Sequence, residues 1–326
     1  MTVTDIKVLL TQASKGTDHQ EIQMRVFVTG ASGHIGSPVV RELLGAGHRV
    51  IGLARSDQSA AAITAAGAEA IRGDLDDAGL LHDTARAVDG VIHLAFKHEA
   101  MQSGDYGSAI TADMLAVDAF ADALGGSGKP LVGTSGTLLL AGLNLGRAGT
   151  EADVVDSGPR VDAENKVIGL ADRNVRSSVI RLPPTVHSDL DHHGFIPTLI
   201  AIAREKGVAG YVGDGANRWP AGHTLDAAHL YRLAIEAAPA GSRLHAVGDE
   251  GIPFREIAET IARNLNVPAA SIPADEAAGH FGFLGMLVQL DDPTASALTQ
   301  ELMSWKPEHP GLIEDLDAGH YFAHPA

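Results

Sequence analysis

The stretch Val26-Phe27-Val28-Thr29-Gly30-Ala31-Ser32-Gly33-His34-Ile35-Gly36 limits what this chain can fold into more than any other. An apolar run, Val26 to Val28, stops at Thr29-Gly30, and three glycines then recur at three-residue spacing. Ile35, Val39, Val40, Leu43 and Leu44 continue on one face of a helical pattern. The order is strand, tight turn, and a helix whose N-terminus faces the turn. Gly30 supplies the unusual φ of the turn, Gly33 lets the backbone approach a phosphate, and Gly36 permits close packing of helix on strand. The free N–H groups of that helix end, with the macrodipole behind them, make a site for the pyrophosphate of a dinucleotide. Thr29, Ser32, His34 and Ile35 are the other expected contacts of this turn.

Composition narrows the classes. A chain of 326 residues, 45% of them apolar, is long enough for a well-buried core. A formal net charge of −17 argues against nucleic acid and anionic membranes as partners. An anionic cofactor must therefore be held by local donors. The chain has no cysteine, which excludes disulfides, thiolate metal sites and thiol catalysis. No apolar run approaches the ~18 residues of a membrane span, and no signal-peptide pattern stands at the N-terminus, so the expected location is cytoplasmic. Residues 1–23 read as an N-terminal extension of no assigned role.

The next segments follow as strands and helices in alternation. Arg49 to Arg55 reads as strand two, and the residues at its end decide the cofactor. An acidic residue there would bind a free ribose 2′-OH, whereas Arg55-Ser56 suits a 2′-phosphate, so NADP is expected over NAD. Asp57 is read as the N-cap of the next helix. After a short third strand, Gly73-Asp74-Leu75-Asp76 offers Asp74 to the adenine amine and Leu75 to the ring, with Asp76 as the helix cap. A helix is expected to about Val88. Val91 to Phe96 reads as a fourth, central strand ending under the ribose and nicotinamide, where Leu94, Ala95, Phe96 and Lys97 join the cofactor contacts. Pro130 to Thr134 is strand five, leading to Ser135.

At this point Thr29–Gly36, Gly73-Asp74-Leu75, His93-Leu94-Ala95 and Thr134-Ser135 resemble the successive landmarks of the extended or atypical short-chain dehydrogenase/reductases, which include the nucleotide-sugar epimerases and dehydratases. Arg181 to His187 resembles the exit of the family's strand six, with Pro183 beside the cofactor. His223-Thr224-Leu225-Asp226 resembles its later His–Asp helix, and Leu244 to Ala258 its last strand and helix. The resemblance spans about 24–320. It implies a Rossmann-type doubly wound parallel sheet over 24–186 and a small C-terminal α/β cap over 187–326, with 222–265 partly returning to the core. It also implies, by analogy, a homodimer through two sheet-flanking helices.

The family's chemistry rests on a serine and a Tyr-x-x-x-Lys pair, in which lysine binds the ribose and lowers the tyrosine's pKa. Ser135 matches the serine, but none of Tyr106, Tyr211, Tyr231 and Tyr321 has a lysine four residues later. Lys166 leaves only about ten residues, roughly 15 Å of helix, before strand six, short for a crossover. With Glu164 read as the acidic residue one turn after the lysine, Arg160 takes the lysine position and Asp156 the tyrosine position. Arg160 can hold the ribose as a permanent cation but cannot tune a phenol. Tyr106, His98 and His187 are the topological candidates for a substitute proton donor. His192-His193 with Asp189 and Asp191 reads as a solvated loop, and no metal is expected.

Arg218 and Trp219 read either as a substrate-domain lining or as a salt-bridged arginine and a packed tryptophan. Residues 268–303, with Phe281, Phe283, Leu284, Met286 and Leu287, read as a lid whose apolar face favours a hydrophobic substrate. The expectation is an NADP-dependent oxidoreductase that moves hydride between NADPH and a carbonyl or hydroxyl of a small, fairly apolar molecule. The alternatives are an NmrA-like NADP-binding sensor without hydride chemistry and, third, an epimerase or dehydratase.

Overall fold

The computed structural model describes residues 23–98 and 105–323. Residues 1–22 of the expected extension therefore lie outside the described residues. Seven parallel strands form the main sheet: β1 (Arg25–Thr29), β2 (Arg49–Ala54), β3 (Glu69–Arg72), β4 (Gly90–His93), β5 (Pro130–Gly136), β6 (Arg176–Leu182) and β10 (Ser242–His245). Their spatial order is β10-β6-β5-β4-β1-β2-β3, which is the doubly wound arrangement with its reversal between β1 and β4. Strand β4 is shorter than the apolar run implies. Leu94 to Lys97 leave the sheet and form the loop at its carboxyl end.

Both faces are covered, as a parallel sheet requires. On one face, α1 (Gly36–Gly45) and α7 (Thr224–Ala237) pack Val39, Val40, Leu43, Leu230, Tyr231 and Ile235 against β1, β5 and β6. On the other, α3 (Ala78–Arg86), α4 (Tyr106–Leu124) and α5 (Val161–Gly169) bury Leu81, Phe120, Leu124 and Val167. Among the described residues no helix is long and apolar enough to cross a membrane.

A third core lies beyond β6. It is built from β7 (Thr185–His187), α6 (Phe195–Lys206), β8 (Ala209–Val212), β9 (Arg218–His223), β11 (Asp249–Pro253), α8 (Phe254–Leu265), β12 (Ala269–Ile272), α9 (Ala277–Phe281), α10 (Ala297–Met303) and α11 (Leu312–Asp317). Strands β11-β9-β7 form one small sheet and β12-β8 another. Phe254, Phe281, Trp219, Leu284 and Leu312 fill this cap core.

Two helix starts differ from the reading by one residue. Ser56, not Asp57, caps α2 (Asp57–Ala65): its hydroxyl accepts from Ser59 N, and the Ser59 side chain reaches back to Ser56 N. A hydroxyl in extended backbone closes this reciprocal box, whereas Asp57 already has helical geometry and pairs with Arg72. Asp77 rather than Asp76 caps α3, and Asp76 is free to meet Lys97. That helix ends at Arg86, short of Val88.

The glycine-rich turn has the geometry its sequence demands. Gly30 has φ +69°, and a Cβ added at Gly36 would lie 1.9 Å from the Gly30 carbonyl oxygen. Gly36→Ala is therefore expected to lose about 1–3 kcal/mol in urea unfolding. Gly45→Ala, whose added methyl meets nothing within 4 Å, is the control that should hold its midpoint.

Candidate active site

The carboxyl ends of β1 and β4 are joined by one buried hydroxyl. Thr29 Oγ1 accepts from the backbone N–H groups of Leu94 and Ala95, both at 3.2 Å, and lies 2.7 Å from His93 Nδ1. With two amide donors on the oxygen, its own hydrogen goes to Nδ1, which leaves His93 Nε2–H to donate to Asp113, 3.1 Å away. This fixes the start of the β4 loop over the glycine-rich turn, where a Cβ at Gly30 would meet Ala95 N at 2.9 Å. The N-terminus of α1 faces the same place. Ile35 stands at its N-cap with no side-chain hydrogen bond, and the first turn holds no acidic residue. An uncapped helix end without carboxylates fits a diphosphate.

The adenosine side is more occupied than the sequence implies. The Ser56 hydroxyl is committed to capping α2. Lys97 closes on the Asp74–Asp76 pair, 3.6 Å from Asp74 and 2.5 Å from Asp76. Leu75 is buried in the sheet's helix-covered face. Arg55 is exposed at the end of β2.

Beyond β4, the Arg160 guanidinium lies over the Phe96 ring, 4.1 Å from its centroid, and donates to the Thr134 carbonyl at 3.3 Å. Thr134 in turn donates to the His93 carbonyl and meets the Tyr231 hydroxyl at 2.8 Å. Arg160 thus bridges the ends of β4 and β5. The next residue, Ser135, is buried, and its hydroxyl has no hydrogen-bond partner of normal geometry. It does sit near enough to Glu164 to help hold that carboxyl down.

Glu164 explains why Arg160 is where it is. Burial pushes the Glu164 carboxyl up, but the Arg181 guanidinium, Ser135 and Arg243 together outweigh this and hold it below its ordinary value. Arg181 is fully buried, donates to both Glu164 oxygens, and also donates to the Asp153 carbonyl. Arg243 adds a bond of 2.8 Å. The pair staples α5 to β6, and Arg160 lies one turn before Glu164 at the N-cap of α5. Lys166 faces outward and pairs with Asp118 on α4. Asp156 is exposed and precedes the helix altogether.

The substitute donors do not converge. Tyr106 is the exposed first residue of α4. His98 keeps contact with solvent, its ring edge-on to Phe96 at 5.3 Å, and local packing followed by the charge of Arg160 holds its imidazole below the ordinary value. The loop that follows, 99–104, lies outside the described residues. His187 is on strand β7 rather than in a loop, fully buried, with Nδ1 2.8 Å from Asp315 on α11. Pro183 lies in the turn between β6 and β7.

Arg218 and Trp219 are structural. Arg218 forms a two-toothed pair with Asp291, and Trp219 is completely buried against Phe254 and Phe195. The 268–303 segment is a strand and short helices rather than one lid helix, and Phe281 and Leu284 point into the cap core. Of its large apolar residues, Phe283, Met286, Leu298 and Leu302 are exposed.

Two polar groupings escaped the sequence reading because long-range contacts create them. Asp226 accepts from the backbone N–H groups of Glu308 and His309 and from the His309 ring, while Trp305 donates to its carbonyl. With His223 these residues offer ligand atoms within 4.8 Å of one another. Their lone pairs are largely used in the joint itself, and His223 Nδ1 accepts from Leu225 N. The joint borders a cavity of about 440 Å³ between α1 and α7, away from β4 and β5. Asp292, nearly fully buried, accepts from Thr137 Oγ1 at 2.7 Å and ties the exit of β5 to the cap.

Comparison with known proteins follows this geometry. The NAD dependent epimerase/dehydratase family matches residues 26–134. An uncharacterized protein of Schizosaccharomyces pombe is 45% identical over 92% of this chain and 100% of its own length. The 2-alkyl-3-oxoalkanoate reductase of Stenotrophomonas maltophilia is 27% identical over 75% of this chain and 77% of that enzyme. Among solved structures, the dTDP-glucose 4,6-dehydratase DesIV of Streptomyces venezuelae, with NAD bound, superposes with TM-score 0.72 at 20% identity over 90% of this chain and 96% of that one. The chain belongs to the extended short-chain dehydrogenase/reductases. As a member of this family, whose neighbours bind a nicotinamide cofactor in the same fold, it has the family's nucleotide turn and lacks its Tyr-x-x-x-Lys pair.

Asp292 gives this short-chain dehydrogenase/reductase fold a pH signature. Burial, opposed by the hydroxyls of Thr137 and Thr294, pushes its carboxyl up to about 7. The folded protein keeps a proton that the unfolded chain releases near its ordinary value of 3.8. The contribution of Asp292 to stability is therefore full below about pH 4, declines as pH rises from there through about 7, and is absent above it. Asp292→Asn should flatten the urea midpoint across that window, and a slope equal to wild type would refute this assignment.

Proposed function

We propose that this protein is an NADP-dependent oxidoreductase that transfers hydride between NADPH and a carbonyl or hydroxyl of a small, fairly apolar molecule. The observation that carries the reading is the buried Ser135 hydroxyl, which has no partner of normal hydrogen-bond geometry and only Glu164 near it, one residue from the carbonyl on which Arg160 rests. A buried donor without a partner is costly unless a ligand satisfies it. A substrate carbonyl oxygen would do so.

The bound dinucleotide would supply or accept the hydride at the carboxyl ends of β4 and β5. Ser135 would orient and polarise the substrate oxygen by donating a hydrogen bond to it. Arg160 would hold the ribose and lend positive charge to the oxygen as it becomes an alkoxide. An arginine stays charged at any working pH, so it donates hydrogen bonds but not the proton. Reduction adds one hydride to carbon and one proton to oxygen, and with no tyrosine at the family's position and the Tyr231 phenol wholly buried on Thr134, the proton comes from water or from a loop residue such as His98. The substrate class is supported by exposed Phe283 and Met286 on the cap and by the reductase of 3-oxoalkanoates among the relatives.

Preference for NADP rests on Arg55 at the end of β2 and on the absence of a carboxylate at that point or the next residue. A second reading, an NADP sensor without hydride chemistry, is favoured by one fact. Asp156 at the tyrosine position lies off the helix and exposed. Turnover decides between them.

Ser135→Ala is expected to keep NADPH binding by fluorescence titration and to lose at least about tenfold in kcat over a panel of aldehydes and ketones. Full turnover in this variant would remove the serine from the mechanism. Arg160→Ala should weaken NADPH binding about tenfold or more, and an unchanged affinity would rule out its ribose role. Tight binding by wild type with no turnover across the panel would favour the sensor.

A further inference from the structure

His34 belongs to the glycine-rich turn, yet its side chain leaves the turn and enters the cap. Its Nε2 lies 2.9 Å from Thr224 Oγ1 at the start of α7, and its Nδ1 lies 3.7 Å from Asp191 Oδ1 in the 188–194 loop. Thr224 donates its hydroxyl hydrogen to the His187 carbonyl at 3.0 Å and accepts from the Ser188 hydroxyl. The contact with His34 must then have Nε2–H as donor. A neutral His34 with its proton on Nε2 turns the bare lone pair of Nδ1 toward a carboxylate. That contact is repulsive.

Asp191 is almost wholly buried and held in place. Gly194 N donates to it at 2.8 Å and the Tyr321 hydroxyl at 3.2 Å, while Tyr321 also accepts from Ser188 N. Burial pushes the Asp191 carboxyl up and His34 opposes this. Burial likewise lowers His34, against the pull of Asp191, and His192, His187 and His193 lower it further. These four residues and Thr224 are the polar groups facing the imidazole, with Asp315 behind His187. One added proton on Nδ1 would turn a repulsion into a charge-assisted hydrogen bond.

We propose that His34 is a positioning residue that couples cofactor occupancy to the cap: a diphosphate held on the glycine-rich turn draws one proton from solvent onto the His34–Asp191 pair and seats the 188–194 loop against the turn. This rests on the cofactor site assigned above. The negative charge of the diphosphate is bound by the backbone of the same turn that carries the imidazole, so it favours the protonated form. The only bond made is N–H, and bulk water supplies the proton. Binding and protonation are then linked, so each strengthens the other.

The test is isothermal titration calorimetry of NADPH and NADH near pH 7.5 in buffers of different ionisation enthalpy. NADH is included because it lacks a titrating 2′-phosphate. Wild type is expected to take up between half and about one proton per cofactor, with affinity falling by up to about tenfold per pH unit above neutrality. His34→Phe, which keeps a ring of similar size, should bind with no uptake and no such slope. Asp191→Asn serves if that variant does not fold, and should lose most of the uptake. Amides of 188–194 should gain hydrogen-exchange protection on binding in wild type and not in the variants. Cofactor binding with no net proton uptake, or with equal uptake in His34→Phe, overturns the coupling while leaving the oxidoreductase reading standing. If neither cofactor binds, the assigned cofactor site fails and this inference with it.

Discussion

The close approach of α1 to the turn that precedes it is the constraint on which the other features depend. Gly36 sits so near the Gly30 carbonyl that no side chain fits between them. This contact brings the helix N-terminus up to the carboxyl edge of the sheet and presses α1 against β1. Gly30 in turn leaves room for Ala95, so the β4 loop can lie over the turn. Thr29 then locks that loop with its hydroxyl. Three small or polar residues thus bring a helix N-terminus, the sheet edge and the β4 loop together.

Around it, the chain replaces one familiar device and keeps its scaffold. The Glu164–Arg181 pair is dry and bidentate, with Arg243 as a second cation, so removing one partner would strand charge in the interior. That pair fixes the register of α5, and the register puts Arg160 over Phe96. Where a tyrosine and lysine would sit on consecutive turns, α5 has no turn for the first of them, because it begins only at Val161. The chain therefore departs from the family's Tyr-x-x-x-Lys pattern by helix length as much as by residue identity.

Much of this was legible in the sequence. The doubly wound parallel sheet follows from apolar strands alternating with helical segments. That Glu164 and Arg160 lie one turn apart at the start of α5 follows from their spacing. What was not legible depends on contacts distant in sequence. Ser56 and Asp57 are equally good caps by residue type, and only backbone geometry chooses between them. Val91 to Phe96 is apolar apart from His93, and the apolar residues continue past it, so the pattern does not mark where β4 leaves the sheet. Phe281 and Leu284 read as the apolar face of a lid, and Trp219 reads equally as lining or as core, because an apolar residue facing a core and one facing a ligand have the same pattern. His187 was assigned to a loop, and its burial against Asp315 arises from a segment 128 residues away.

The position of β10 bears on how the chain is made. β6 pairs with β5 on one side and with β10 on the other, and the whole of α6, β8 and β9 is traversed before β10 arrives. During synthesis at about 5–20 residues per second, the edge of β6 would stand unpaired for several seconds, an open template for another nascent chain. That edge is not blunted by proline or by a bulge, and its exposed backbone runs beside Ser177 and Ser178. Arg181 on the same strand has no such wait, because its partner Glu164 precedes it in the chain and is already made when β6 emerges.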